Sequence, residues 1–132
     1  MVAPSRFCHV VYRSHHVEEM VEWYIHVFEA RVQHRTGNVA FLTYDDEHHR
    51  FAIVRLDGKP TPDTLGPGRV AHVAYAWKSL DELLENYKRL KDIGVLPVRP
   101  TRHGLTLSMY YQDPDGNGLE FQIDLLDEDA AS

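Results

Sequence analysis

The chain has 132 residues, 43% hydrophobic and 26% charged, with a formal net charge of −6. That length suffices for one domain with a proper core. The acidic balance argues against nucleic acid or an anionic membrane as the main partner, and no apolar run approaches the roughly 18 residues of a membrane span. Cys8 is the only cysteine, so an intrachain disulfide is excluded, and the opening MVAPSRF carries no signal-peptide pattern. The expected compartment is cytoplasmic.

In chain order, FCHVVY (7–12) reads as a strand carrying His9. Val17, Met20, Val21, Tyr24 and Val27 recur at i, i+3, i+4, i+7 and i+10, the apolar face of a helix over 17–28. His16 stands in its cap position. A short strand near 30–34 follows, then NVAFLTYDD (38–46) and HHRFAIVRL (48–56) as strands around an acidic turn. On the last of these, His49 is expected to share a face with Phe51 and Ile53, while His48 points to solvent. The stretch DGKPTPDTLGPG (57–68) is a Pro- and Gly-rich linker. VAHVAY (70–75) is a second His-bearing strand, and a helix over 80–93 opens on the capping box Ser79–Glu82 and stops at Gly94. VLPVRP (95–100), LTLSMYY (105–111) and LEFQIDL (119–125) are strands, the last two joined by DPDGNG. The tail DEDAAS is expected to fray.

The second half repeats the first. An offset of 63 carries His9 to His72, Val17 to Leu80, Met20 to Leu83, Val21 to Leu84, Tyr24 to Tyr87 and Val27 to Leu90. One offset across both strand and helix indicates two copies of a βαβββ unit. Module one covers about 6–56 and module two about 69–125, within one domain over 1–132. The expected fold is α+β: two modules forming a curved, partly open β-barrel around one metal site, with the helices outside.

A lone histidine on an apolar strand is more often a core residue with a hydrogen-bond partner than a ligand. The repeat changes that balance, because His9 and His72 occupy equivalent faces of equivalent strands. Glu120 alternates with Leu119, Phe121 and Ile123, so those three pack against the helices and Glu120 takes the opposite face with the two histidines. An unpaired carboxylate there is costly. Two imidazoles and one carboxylate make a facial triad that leaves coordination positions open. His15, His16, His26 and His34 fall at helix starts, helix surfaces or loops and are expected to be exposed. Cys8, alternating with His9, reads as a small core residue.

The βαβββ repeat, a His opening each unit and YYQDPDGNGLEF together resemble the vicinal oxygen chelate superfamily, which includes glyoxalases, bleomycin-binding proteins and type I extradiol dioxygenases. The resemblance spans about 6–125. RHG (102–104), Tyr110, DPDGN and Glu120 resemble the signature segment of the dioxygenases, although the spacing of seven from His103 to Tyr110 is two short of that pattern. DEHHRFAIV (46–54) is similar to the segment closing their first unit. The resemblance implies His9, His72 and Glu120 as ligands of Fe(II), or of Mn(II), with His49, His103 and Tyr110 catalytic. It also implies a homodimer acting on a small aromatic substrate with O2. Two other readings stand beside it. One is a glyoxalase-type isomerase or related enzyme on another divalent metal, with a fourth ligand, usually Glu or Gln, from module one. The other is a metal-free binding protein of the bleomycin-resistance kind.

Overall fold

The computed structural model describes residues 2–61, 70–103 and 106–124. The chain forms two compact units, Met1–Leu65 and Gly66–Ser132. Part of the linker over 57–68 and all of the tail over 127–132 lie outside the described residues. Among the described residues no helix is long and apolar enough to cross a membrane.

The first unit runs β1 (Val10–Ser14), α1 (Val17–Phe28), β2 (Arg31–Arg35), β3 (Val39–Thr43) and β4 (Phe51–Arg55). Its sheet has the order β1-β4-β3-β2, with β1 parallel to β4 and the other pairs antiparallel. The second unit runs β5 (Val73–Ala76), α2 (Leu80–Asp92), β6 (Arg99–His103), β7 (Thr106–Gln112) and β8 (Gly118–Asp124). Its sheet repeats the pattern as β5-β8-β7-β6, again with one parallel pair, β5 with β8. This is a mixed α+β fold in which the βαβββ repeat read from the 63-residue offset recurs strand for strand.

The α1 face behaves as its periodicity requires. Val17, Met20, Val21, Tyr24 and Val27 are all buried, and each such side chain contributes roughly 1.5–3 kcal/mol when fully buried. Tyr24 lies against Phe51 of β4 with ring centroids 4.6 Å apart and stacks on Phe28 at 5.6 Å. His16 caps α1 without a side-chain hydrogen bond; instead Ser14 Oγ accepts from the His16 backbone N–H at 2.8 Å. In α2 the Ser79 cap forms: Ser79 Oγ accepts from the Glu82 N–H at 3.2 Å, while the Glu82 carboxylate reaches back one residue beyond the cap, its Oε2 accepting from the Lys78 N–H at 3.3 Å. Gly94 closes that helix at a φ of 86°, where a side chain would be strained.

The α2 face departs from its counterpart. Leu83 and Leu90 are buried, but Leu84, the partner of Val21 in the repeat, is 45% exposed. Asn86 is buried in its place, its Oδ1 accepting from Arg89 at 2.9 Å. The core-facing stripe is 83, 86 and 90, narrower than in α1 and rotated away from Leu84. The strand expected over 95–100 lies later, at Arg99–His103. Pro97 has no N–H to offer a ladder, and Pro100 is tolerated because β6 is the sheet's edge. Cys8 is exposed rather than packed, because β1 begins only at Val10 and Cys8 precedes the ladder.

Candidate active site

In module two, register decides which side chains meet. Glu120 on β8 stands opposite Tyr110 on β7 and Ala74 on β5. Opposed residues share a face, as do residues two apart on a strand. Ser108, Tyr110, Glu120 and His72, which precedes Ala74 by two, therefore converge. Leu119, Phe121 and Ile123 take the other face and are buried, with Phe121 against Trp77 at 4.7 Å and Tyr111 at 4.8 Å. Glu120 is 9% exposed, and its two oxygens are differently held. Oε1 lies 3.1 Å from His72 Nε2, and Oε2 accepts from the Ser108 hydroxyl at 2.5 Å. The Tyr110 ring meets His72 edge-on at 5.7 Å.

Two local devices bring His72 to Glu120. A Cβ on Gly118 would lie 2.5 Å from the Ala71 carbonyl oxygen and 3.1 Å from His72 Cβ, so only glycine lets β8 approach that strand. The turn before it is organised by Asp113. Its Oδ1 accepts from the N–H groups of Asp115 and Asn117, both at 2.9 Å, and its Oδ2 from Asn117 Nδ2 at 2.9 Å. Gly116 takes a φ of 87°. Hydrogen bonding by the Asp side chain and a Gly at positive φ explain why this turn has the composition Asp-Pro-Asp-Gly-Asn.

In module one the counterpart face carries aromatic and imidazole rings. His9 and His49 have ring centroids 4.1 Å apart, and His49 lies 4.7 Å from Phe41. His48 Nδ1 and His49 Nδ1 are 3.0 Å apart, so one ring donates to the other. Burial holds the His49 imidazole below its ordinary pKa; His9 and His48 push the same way and Glu47 opposes them. The face expected for His49 is corrected here. It packs with Phe41, which pairs with Ala52, and so lies opposite the face of Phe51 and Ile53. Residues 44–50 are turn and bend rather than strand, so alternation counted back from Phe51 does not reach His49.

Arg50, which the sequence reading passed over, ties this region together. Its Nε donates to both Asp45 carboxylate oxygens at 3.1 and 3.0 Å, and Nη1 donates to the carbonyls of Phe7 and Cys8 at 2.7 and 3.0 Å. One guanidinium thus fixes both the loop bearing His48 and His49 and the segment leading into His9. Its place at the end of an acidic turn was the available signal. Ser108 was also missed; its signal was its place two residues before Tyr110 on an alternating strand.

The structure therefore brings His72, Glu120 and Tyr110 together, and His9 with His49. It pairs His103 with Thr106, whereas Tyr110 pairs with Arg99. Four strand positions separate the two, about 13 Å along the ladder. Among the described residues no group of three or more His, Cys, Asp or Glu comes together as a metal site. The buried, hydrogen-bonded Glu120 carboxylate beside His72 Nε2 nonetheless fits a divalent ion that takes mixed nitrogen and oxygen ligands.

A fold of two βαβββ modules with this histidine and carboxylate placement is that of a known group. The model described as the Glyoxalase/Bleomycin resistance protein/Dioxygenase superfamily matches residues 6–121, and the chain belongs to that superfamily. The chain is 42% identical over 124 residues to biphenyl-2,3-diol 1,2-dioxygenase 2 of Rhodococcus globerulus, covering 94% of this chain and 65% of that protein. It is 40% identical over 128 residues to biphenyl-2,3-diol 1,2-dioxygenase 3 of the same organism, covering 94% and 66%. It thus spans about two thirds of the length of these relatives. The structure of lactoylglutathione lyase from Agrobacterium tumefaciens superposes with a TM-score of 0.69 at 16% identity, covering 93% of this chain and 96% of that one, which shows the shared fold.

Proposed function

We propose that this protein is an extradiol dioxygenase that opens a catecholic ring beside its hydroxyls, using Fe(II) held by His9, His72 and Glu120. The observation that carries this reading is the likeness to the two biphenyl-2,3-diol dioxygenases at 40–42% identity, together with the His72–Glu120 pair. In this reading the two modules form a curved, partly open barrel around the metal within one domain, and the protein is a cytoplasmic homodimer. Light scattering checks the dimer; a monomer mass at micromolar concentration counts against it.

His9, His72 and Glu120 would hold the metal, which would supply the Lewis-acid and redox chemistry that lets a catechol react with O2. Both atoms of O2 enter the product, one ring C–C bond beside a hydroxyl breaks, and no outside reductant is consumed. The chain's residues handle the protons. His49, held low in pKa, is neutral at physiological pH and can accept a proton released when the catechol binds. Its contact with His9 supports a place next to the metal ligands. The Tyr110 hydroxyl can donate to a substrate oxygen and orient the ring. The same role for His103 rests on the resemblance alone. A bicyclic catechol is the first substrate to try, given the names of the relatives.

Module one speaks against the glyoxalase-type alternative. That reading requires a fourth ligand there, and the register position matching Glu120 is Ala52. The test is direct. Protein loaded with Fe(II) without oxygen, given biphenyl-2,3-diol and then O2, should form a yellow ring-opened product. No product with iron loaded, but isomerisation of a hemithioacetal with nickel or zinc, would install the alternative. Failure of both, with tight metal-free binding of a drug, would make the protein a binding module.

A further inference from the structure

We propose that Ser108 is a positioning residue for Glu120: it holds Oε2, so that the carboxylate offers Oε1 alone, beside His72 Nε2, to a divalent metal. This rests on the metal reading above and adds to it a residue that sets how many positions the carboxylate occupies. Ser108 is wholly buried, and its hydroxyl donates to Glu120 Oε2 at 2.5 Å while His72 Nε2 lies 3.1 Å from the other oxygen. A free carboxylate can turn both oxygens toward one ion and fill two positions. A site that must seat two oxygens of a substrate has none to spare. A buried hydroxyl bonded to one oxygen opposes that rotation, because turning Oε2 away would strand the hydroxyl without water to replace its partner. The position is specific to this module: by register the counterpart of Ser108 in module one is Val39, where there is also no carboxylate to hold.

The test compares the intact protein with Ser108→Ala and with Ser108→Thr, which keeps a hydroxyl. Co(II) affinity is read by competition with a chelator, the Co(II) absorption spectrum reports coordination, and melting of the metal-free proteins reports folding. Loss of a partner of a metal ligand typically costs 10–100-fold in affinity. Ser108→Ala should therefore bind Co(II) 10–100-fold more weakly with an altered spectrum, while Ser108→Thr stays within a few-fold of the original. Wild-type affinity and spectrum in Ser108→Ala would overturn the proposal. So would weakened binding that tracks a lowered metal-free melting temperature in both variants, which marks a packing role. If the unsubstituted protein takes up no cobalt, the metal reading itself falls and this proposal with it, a result visible before any variant is made.

Discussion

The two sheets are built to one plan, yet their equivalent faces carry opposite chemistry. Register aligns Ala52 with Glu120, Phe41 with Tyr110 and Val39 with Ser108. Module two thus holds a carboxylate, a phenol and a hydroxyl where module one holds three apolar side chains. Both keep the histidine before the first strand. His72 meets a carboxylate, whereas His9 meets the ring of His49, which comes from the loop rather than from the ladder. The lesson is that a duplicated scaffold need not duplicate its site. Repetition places an imidazole at the same point in each module, and divergence at three register positions, plus one loop, gives His72 a carboxylate neighbour and His9 an imidazole neighbour.

The largest expected effect falls where the modules differ most. Glu120→Ala makes module two resemble module one at the position of Ala52 and should abolish stoichiometric divalent metal binding, measured on protein purified without chelators. Full metal content in that variant would remove the carboxylate from the ligand set. The matching change in module one is His49→Gln. It should lower turnover by about 10²–10⁴-fold, the range a positioned acid–base group supplies, with metal content near that of the unchanged protein. Equal loss of metal and turnover would make His49 a ligand or a structural support instead.

A smaller effect should follow from disturbing approach rather than chemistry. Gly118→Ala drives a methyl against the Ala71 carbonyl, which is backbone and cannot swing aside. The segment bearing His72, just before β5, must shift, at a cost of about 1–3 kcal/mol as for other overpacked sites, and metal affinity should fall as His72 leaves Glu120. Chemical denaturation and a cobalt titration measure the two consequences. Unchanged values of both would mean that the β5–β8 spacing is not what sets this pair.

How much of this was legible beforehand follows from which forces act locally. The α1 face was readable because one helix carries its whole signal in i, i+3, i+4 spacing, and Glu120 was readable because strand alternation separates it from Leu119 and Phe121. His49 was misplaced because alternation was carried through a segment that leaves the ladder. Ser108 and Arg50 act across strands or from a loop to a distant segment, so register, which single-strand patterns do not encode, decides their partners. Gly118 read only as part of a turn, since the close approach of Ala71 is a property of two strands together.

The mildest contrast lies on the helix-side faces. Tyr111 pairs with Leu119 as Leu42 pairs with Phe51, so a phenol stands in one core where the other has an alkyl group. Tyr111 is buried, its hydroxyl has no hydrogen-bond partner among the described residues, and burial, with Tyr87 adding to it, pushes its pKa up to about 12. A phenol near 10 in the unfolded chain and near 12 in the fold favours the folded state while neutral. That advantage is complete below pH 10 and is lost as the pH rises from 10 to 12, by about 2–3 kcal/mol for a shift of this size. Tyr111→Phe removes both the unpaired hydroxyl and the ionisation. It should leave stability at pH 7 within about 1 kcal/mol of the original or raise it, and remove this share of the loss between pH 10 and 12. Denaturant melts at pH 7 and at steps through that range measure the difference. Equal alkaline losses in the two proteins would show that Tyr111 ionises as freely in the fold as out of it.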